Sequence, residues 1–148
     1  MPNLFPTEST TVTPETQDQQ VKYGKSWRFD FDSGEFVLTP TNQVASADEM
    51  EAYIQWCQKA IRTPRYRHLI YSRNYGNEFD DLIGRGYPRM VIESEIKRMA
   101  TEALMVDVRT ANVGNFVFDW QGDAVYFTCD VLSTRGETTQ IDNKVVLS

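Results

Sequence analysis

From Trp27 onward, large apolar side chains become frequent, and their spacing changes several times along the chain. Trp27, Phe29 and Phe31 alternate with Arg28, Asp30 and Asp32, the period-two signature of a strand with one face buried. Ser33-Gly34 then turns the chain into Phe36-Val37-Leu38, so the first two elements are expected to form a hairpin. Met50, Tyr53, Ile54, Cys57 and Ile61 recur at helical spacing and share one face. The start of that helix is marked by Ser46 with Glu49 three residues on, the pattern of a capping box, and Asp48 adds a carboxylate near the positive end of the dipole. Pro64 ends it, and residues 66–71 read as a short extended segment. Residues 78–83 are expected to add one or two helical turns, closed by Gly84. A second long helix over residues 91–106 directs Ile92, Ile96, Met99, Ala103 and Val106 inward, with Glu93, Glu95, Lys97, Arg98 and Glu102 mainly outward.

The last third changes period again. Phe116, Phe118 and Trp120 alternate with Val117 and Asp119, a turn falls at Gln121-Gly122-Asp123, and Val125, Phe127, Cys129 and Val131 alternate on the way back. A further turn at Arg135-Gly136-Glu137 leads to a last strand over residues 138–147 whose outer edge is left unpaired. The fold class this predicts is α+β: a single antiparallel sheet with two principal helices. Ahead of it, residues 2–20 are rich in Thr, Pro, Glu, Gln and Ser and poor in large apolar side chains, so they cannot repay the entropy of ordering. Residues 1–23 are therefore expected to be a flexible arm, either passive or ordering on a partner, and residues 24–148 the folded domain.

Composition narrows the function. A chain of 148 residues with 41% hydrophobic residues supports one core of ordinary size. A net charge of -6 argues against nucleic acid or an anionic membrane as the partner, because counterion release needs a positive face. Cys57 and Cys129 lack metal or redox spacing and read as buried apolar thiols. No signal-peptide pattern and no run of eighteen apolar residues is found, which predicts synthesis and folding in the cytosol.

The candidate chemistry is sparse. Asp30-Phe31-Asp32-Ser33-Gly34-Glu35 has the outline of a calcium loop, but the glycine falls one place early and the later ligands are missing. His68, the single histidine, sits among Arg62, Arg65, Arg67 and Arg73, which oppose its protonation, and no nucleophile motif stands beside it. Carboxylate pairs such as Glu78 with Asp81 or Glu93 with Glu95 arise by chance in an acidic chain. Gly84-Arg85-Gly86 is too short for a phosphate loop. The arginine cluster, with Arg65 and Arg67 at its centre, is the one local charge anomaly; it suits acidic protein segments, a phosphate, or simple pairing with surface carboxylates. No catalytic residue, cofactor or metal ligand is identified.

The run from Tyr66 through Tyr75-Gly76-Asn77-Glu78-Phe79-Asp80-Asp81-Leu82-Ile83-Gly84, with Trp27 to Phe31 and the helix from Ile92 to Leu104, resembles baseplate proteins of contractile tails encoded by prophages and phage-like elements. More distantly it is similar to the sheath-initiator family shared by T-even phage wedges and type VI secretion baseplates. That family has an aromatic-Gly pair before a short Leu-rich helix, matched by Tyr75-Gly76, Phe79, Leu82 and Ile83, and a Glu-Pro-Arg motif before the β-hairpin. Here Asp107-Val108-Arg109 keeps the acid and the arginine and loses the proline. The resemblance implies a handshake-like domain resembling part of the tail sheath subunit, whose sheet accepts strands from the first sheath ring. It implies contact of the Asp107 and Arg109 region with the helical core bundle of wedge proteins, possible neighbours in the tail tube or hub, and six copies per baseplate. It places the protein in the tail particle, and Arg109→Ala is expected to spare the fold while weakening wedge binding. Two other readings stay open: a lysozyme-like peptidoglycan hydrolase of the baseplate, and a small ligand-binding module using the arginine cluster.

Overall fold

The computed structural model describes residues 20–148. Most of the expected arm, residues 1–23, thus lies outside the described residues, but its last part does not behave as an arm. Tyr23 is 4% exposed, its ring meets Tyr53 edge-on at 5.7 Å, and its hydroxyl lies 2.6 Å from Thr134 Oγ1. Val21 also packs on the core, so the packed chain begins ahead of residue 24.

Four short strands follow: β1 (Lys25–Trp27), β2 (Phe29–Asp30), β3 (Glu35–Phe36) and β4 (Ser46–Asp48). The hairpin read at Ser33-Gly34 forms, with Phe29 opposite Phe36 and Asp30 opposite Glu35. The Asp30 carboxylate accepts the N–H groups of Asp32 (2.9 Å) and Ser33 (3.4 Å), which is why an Asp-x-x-Ser-Gly stretch turns here. The strand expected to run through Trp27 and Phe31 is interrupted at Arg28. Its N–H donates to Ala45 O (2.7 Å) while its carbonyl accepts from Val37 (3.0 Å), so the chain changes partner there and β1 pairs antiparallel with β4. Nor is the aromatic side half-buried along its length: Trp27 is 61% and Phe36 53% exposed.

Helix α1 (Met50–Arg62) buries Tyr53, Cys57 and Ile61 as its periodicity predicts, with Met50 and Ile54 at the core margin. The capping box does not form. Ser46 and Asp48 are used in β4, Glu49 takes a positive φ of 43°, and its carboxylate turns to Arg135 Nη1 at 2.8 Å. Tertiary strand pairing with β1 therefore displaces a local cap worth about 1 kcal/mol. After Pro64, residues 66–71 are turns rather than an extended segment. A 3-10 helix (Phe79–Leu82) buries Phe79 and Leu82, and Gly84, at φ 72°, ends that region with its N–H on Leu147 O. Helix α2 (Arg89–Met105) follows Pro88 and buries Ile92, Ile96, Met99 and Ala103, together with Ala100 and Leu104. Val106 falls one residue past the helix and faces solvent, contrary to the expectation.

The C-terminal strands β5 (Thr110–Gln121), β6 (Ala124–Ser133) and β7 (Thr138–Val146) form an antiparallel sheet in that order. Gln121 pairs with Ala124 around Gly122-Asp123, as the alternation predicts. Both helices lie on one face, over Val125, Phe127, Cys129 and Val131 of β6 and Ile141 and Val145 of β7. Trp120 anchors β5 to α2 by donating its indole N–H to Glu93 (2.8 Å). Cys57 and Cys129 are buried thiols, and desolvation pushes both up to about 12. The α+β class with two helices holds. The single sheet does not, because the described strands form three antiparallel sheets of two, two and three strands.

Candidate functional site

Asp107 and Arg109 leave α2 for β5, and the chain folds them onto each other. Nε and Nη2 of Arg109 meet the two carboxylate oxygens of Asp107, each at 2.8 Å, and the Arg109 N–H adds a third bond of 2.8 Å. Nη1 donates to Tyr23 O (2.9 Å), and the guanidinium lies 5.1 Å from the Tyr53 ring and 5.8 Å from that of Trp56. The two side chains are only 13% and 12% exposed. Burial pushes the Asp107 carboxyl up, but the hydrogen bonds and charge of Arg109 outweigh it and hold the carboxyl below its ordinary range. Arg109 thus fastens the β5 entry to the incoming chain at Tyr23 and to α1, a role the sequence motif did not reveal.

What remains accessible of Arg109 opens into a groove of about 650 Å³ between α1 and the β1–β3 ribbon. Its walls are Trp27, Phe29, Phe31, Phe36 and Trp56, with Lys25 and Lys59 as further cationic lining residues. Phe29 locks the aromatic wall by meeting Phe31 and Phe36 edge-on at 5.0 and 5.1 Å. Apart from Trp56, which the apolar face read for α1 leaves out, these aromatic residues were visible in the first hairpin, Trp27, Phe29 and Phe31 as its alternating run and Phe36 on its return. Their period assigns them to a strand face, but it does not say whether that face meets the core or a partner.

Tyr75 and Gly76 sit on the other side of Trp56. Tyr75 stacks edge-on to Trp56 at 5.9 Å and lies 4.6 Å from Tyr71, so Trp56 joins the groove to the loop after α1. Gly76 is buried with φ 100°, and a Cβ there would lie 2.6 Å from Thr63 O. Its place in the aromatic-Gly pair follows from this close approach of two backbones. Arg65 and Arg67 are drawn toward the 3-10 helix, with Arg65 3.4 Å from Glu78 and Arg67 3.0 Å from Asp80. The structure therefore brings Asp107, Arg109 and Tyr75 together around Trp56, and places Arg65 and Arg67 apart, at the loop.

The two edges of the C-terminal sheet differ. Strand β5 slips register twice, at Ala111 and at Asn115-Phe116, where Asn115 takes φ 53°. Such bulges twist an edge away from further pairing. Strand β7 keeps nine consecutive pairs with β6 without a shift, and no described strand occupies its outer side. An open polar groove of about 320 Å³, bounded by Pro64, Asn77, Asp80, Asn143 and Lys144, runs beside that edge.

The other candidate groups are used locally. Asp30 is committed to its turn, and no cluster of three or more metal-ligating side chains occurs among the described residues. Glu95 is held below its ordinary range by hydrogen bonding from Arg98, the opposite of what a general acid requires. Glu93 is bonded to Trp120 and Glu78 to Arg65. His68 is exposed, 6.0 Å edge-on from Tyr71. Among the described residues no helix is long and apolar enough to cross a membrane.

Comparison with known proteins agrees with this picture. Residues 25–136 match the family model described as contractile injection system sheath initiator. The chain is 30% identical over 136 residues to the phage-like element PBSX protein XkdS of Bacillus subtilis (strain 168), covering 88% of this chain and 89% of that one. It also superposes on a chain of the anti-feeding prophage baseplate, solved by cryo-electron microscopy with six-fold symmetrisation, with a TM-score of 0.52 and 13% identity. That match covers 84% of this chain and 86% of the other, and bears on fold alone.

Proposed function

The chain belongs to the contractile injection system sheath-initiator family, structural components of contractile-tail baseplates, and on that premise we propose that it nucleates sheath assembly by strand acceptance. A strand from a subunit of the first sheath ring adds to the outer edge of β7, while the aromatic groove beside Arg109 seats on the helical core bundle of the wedge proteins. The three-stranded sheet with its two covering helices acts as the handshake-like unit, present in six copies around the baseplate, with tube or hub proteins as further neighbours. The protein is made and assembled in the bacterial cytoplasm.

The observation that supports this most is the asymmetry of the sheet edges. Main-chain hydrogen bonding to an added strand needs a run of regular, accessible N–H and C=O groups. Strand β7 supplies nine residues in register, and β5 is bulged twice. The groove supports the second contact, since exposed Trp and Phe beside cationic groups are the residue types that anchor interfaces. Negative-stain electron microscopy of tail particles from a producer strain lacking this gene, with a complemented strain alongside, tests the proposal. Bare baseplates or tubes without ordered sheath are expected; fully sheathed tails overturn it.

A further inference from the structure

Between Glu51 and Glu78 the chain contains no carboxylate, yet it carries Lys59, Arg62, Arg65, Arg67 and Arg73 in a protein of net charge -6. The middle of this stretch is a closed loop. The Arg65 N–H donates to Asn77 O (2.7 Å) and the Asn77 N–H to Thr63 O (3.0 Å), a parallel bridge that pins the two ends together. The Asn77 side-chain amide donates to Ile61 O (2.5 Å) and Thr63 O (3.1 Å), and Arg65 Nε reaches across the loop to Arg73 O (2.6 Å). Tyr75 and Tyr71 brace it against Trp56 and Lys59. On this framework a turn, closed by the Tyr71 N–H on His68 O (3.3 Å), presents Leu69 fully exposed and Ile70 86% exposed.

Two adjacent aliphatic side chains held in water on a braced loop are an unusual expense of solvation, and nothing within the described fold covers them. We infer that Leu69 and Ile70 form a preorganised anchor that inserts into an apolar, carboxylate-rimmed pocket on a neighbouring protein of the tail particle. The charge around the tip argues for the rim. Glu78 and Asp80 neutralise Arg65 and Arg67, and Arg62 and Lys59 are stacked over Phe31 and Tyr71, whereas the exposed Arg73 of the loop forms no ion pair among the described residues. A pocket that closes over two side chains meets only this local positive field. An anionic bilayer meets the field of the whole molecule, which is negative and repels it. Bracing from both loop ends means that little conformational freedom is lost when the tip is buried. Leu69 and Ile70 themselves line neither the groove beside β7 nor the aromatic groove, so the inference stands whether or not β7 receives a sheath strand.

Replacement of Leu69 by a photo-crosslinking amino acid in the complemented producer strain, followed by irradiation of assembled particles, tests the inference. A covalent adduct to a different tail protein, mapped to a segment with carboxylates flanking apolar residues, is expected. Crosslinks confined to this chain, or none in particles that contain it, overturn the inference. The variant L69S/I70S is expected to keep the thermal midpoint of the wild type, since both side chains are exposed, and to enter particles at least about tenfold less efficiently. R73E moves incorporation the same way by charge reversal. Wild-type incorporation of L69S/I70S overturns the inference, as does flotation of the purified wild type, but not of L69S/I70S, with phosphatidylglycerol vesicles, which assigns the tip to a membrane. Should L69S/I70S lower the midpoint, the crosslink alone decides.

Discussion

At the scale of single residues, the pair Asp107 and Arg109 changes the meaning of the motif that drew attention to it. A guanidinium that grips a carboxylate, a backbone carbonyl and two aromatic rings while almost buried is part of the fold before it is part of any interface. Arg109→Ala, expected from sequence to spare the fold, is now expected to cost about 3 kcal/mol in urea denaturation, because it strands the Asp107 carboxylate. The pair also carries a pH signature. The folded carboxyl is depressed, so its contribution is complete above the unfolded value of about 4 and is lost as pH falls through the folded value. The stability gap between wild type and Asp107→Asn should therefore be constant near neutrality and close on acidification below about pH 4. Gly76→Ala places a methyl group against Thr63 O at a φ that L residues avoid, and a loss of about 2 kcal/mol or more in thermal or urea unfolding is expected.

At the scale of elements, the sheet edge and the aromatic ribbon each yield a test. In an antiparallel edge strand, alternate residues point both backbone polar groups inward to the ladder or outward to a newcomer. A proline scan over residues 139–144 of β7 should therefore split by parity. Prolines whose missing N–H faced β6 destabilise the domain; those on the alternate positions leave unfolding nearly unchanged and block sheath ordering on baseplates, seen by microscopy. Elements also show where local signals lost. Ser46 and Glu49 have the spacing of a cap, but Ser46 is paired with Trp27 of β1 and the Glu49 N–H donates to Gly24 O just ahead of that strand. Residues 66–71 carry β-favouring side chains, yet the bridge between Pro64 and Asn77 forces the intervening chain to double back into turns. In each case a contact distant in sequence outweighed a preference of about 1 kcal/mol or less.

At the scale of the whole molecule, the domain is a two-helix layer on one face of a three-stranded sheet, with an aromatic ribbon added beside α1. The ribbon leaves Trp27 and Phe36 in solvent, so W27S/F36S should fold with a midpoint close to wild type and yet co-purify poorly with wedge proteins. Full recovery of wedge proteins with this variant would remove the groove from the proposed docking surface. The opposite pattern, lower stability with unchanged co-purification, would make the ribbon a part of the core.

The sequence by itself determined the elements whose signals are periodic and long: α1, α2 and the β5–β6 hairpin stand where apolar spacing put them, because burying one face repeats at a fixed interval. It also determined the acidic balance, the two apolar thiols and the resemblance that named the family. Only the tertiary structure decided which apolar face is core and which is surface, since Trp27 and Phe36 have the same spacing whether a partner or the protein itself covers them. It alone decided that Arg109 turns inward, that β5 is bulged while β7 is regular, and that the aliphatic tip of the loop stands in water. Register, ion pairing and exposure depend on what folds back from far along the chain, and no local pattern encodes that.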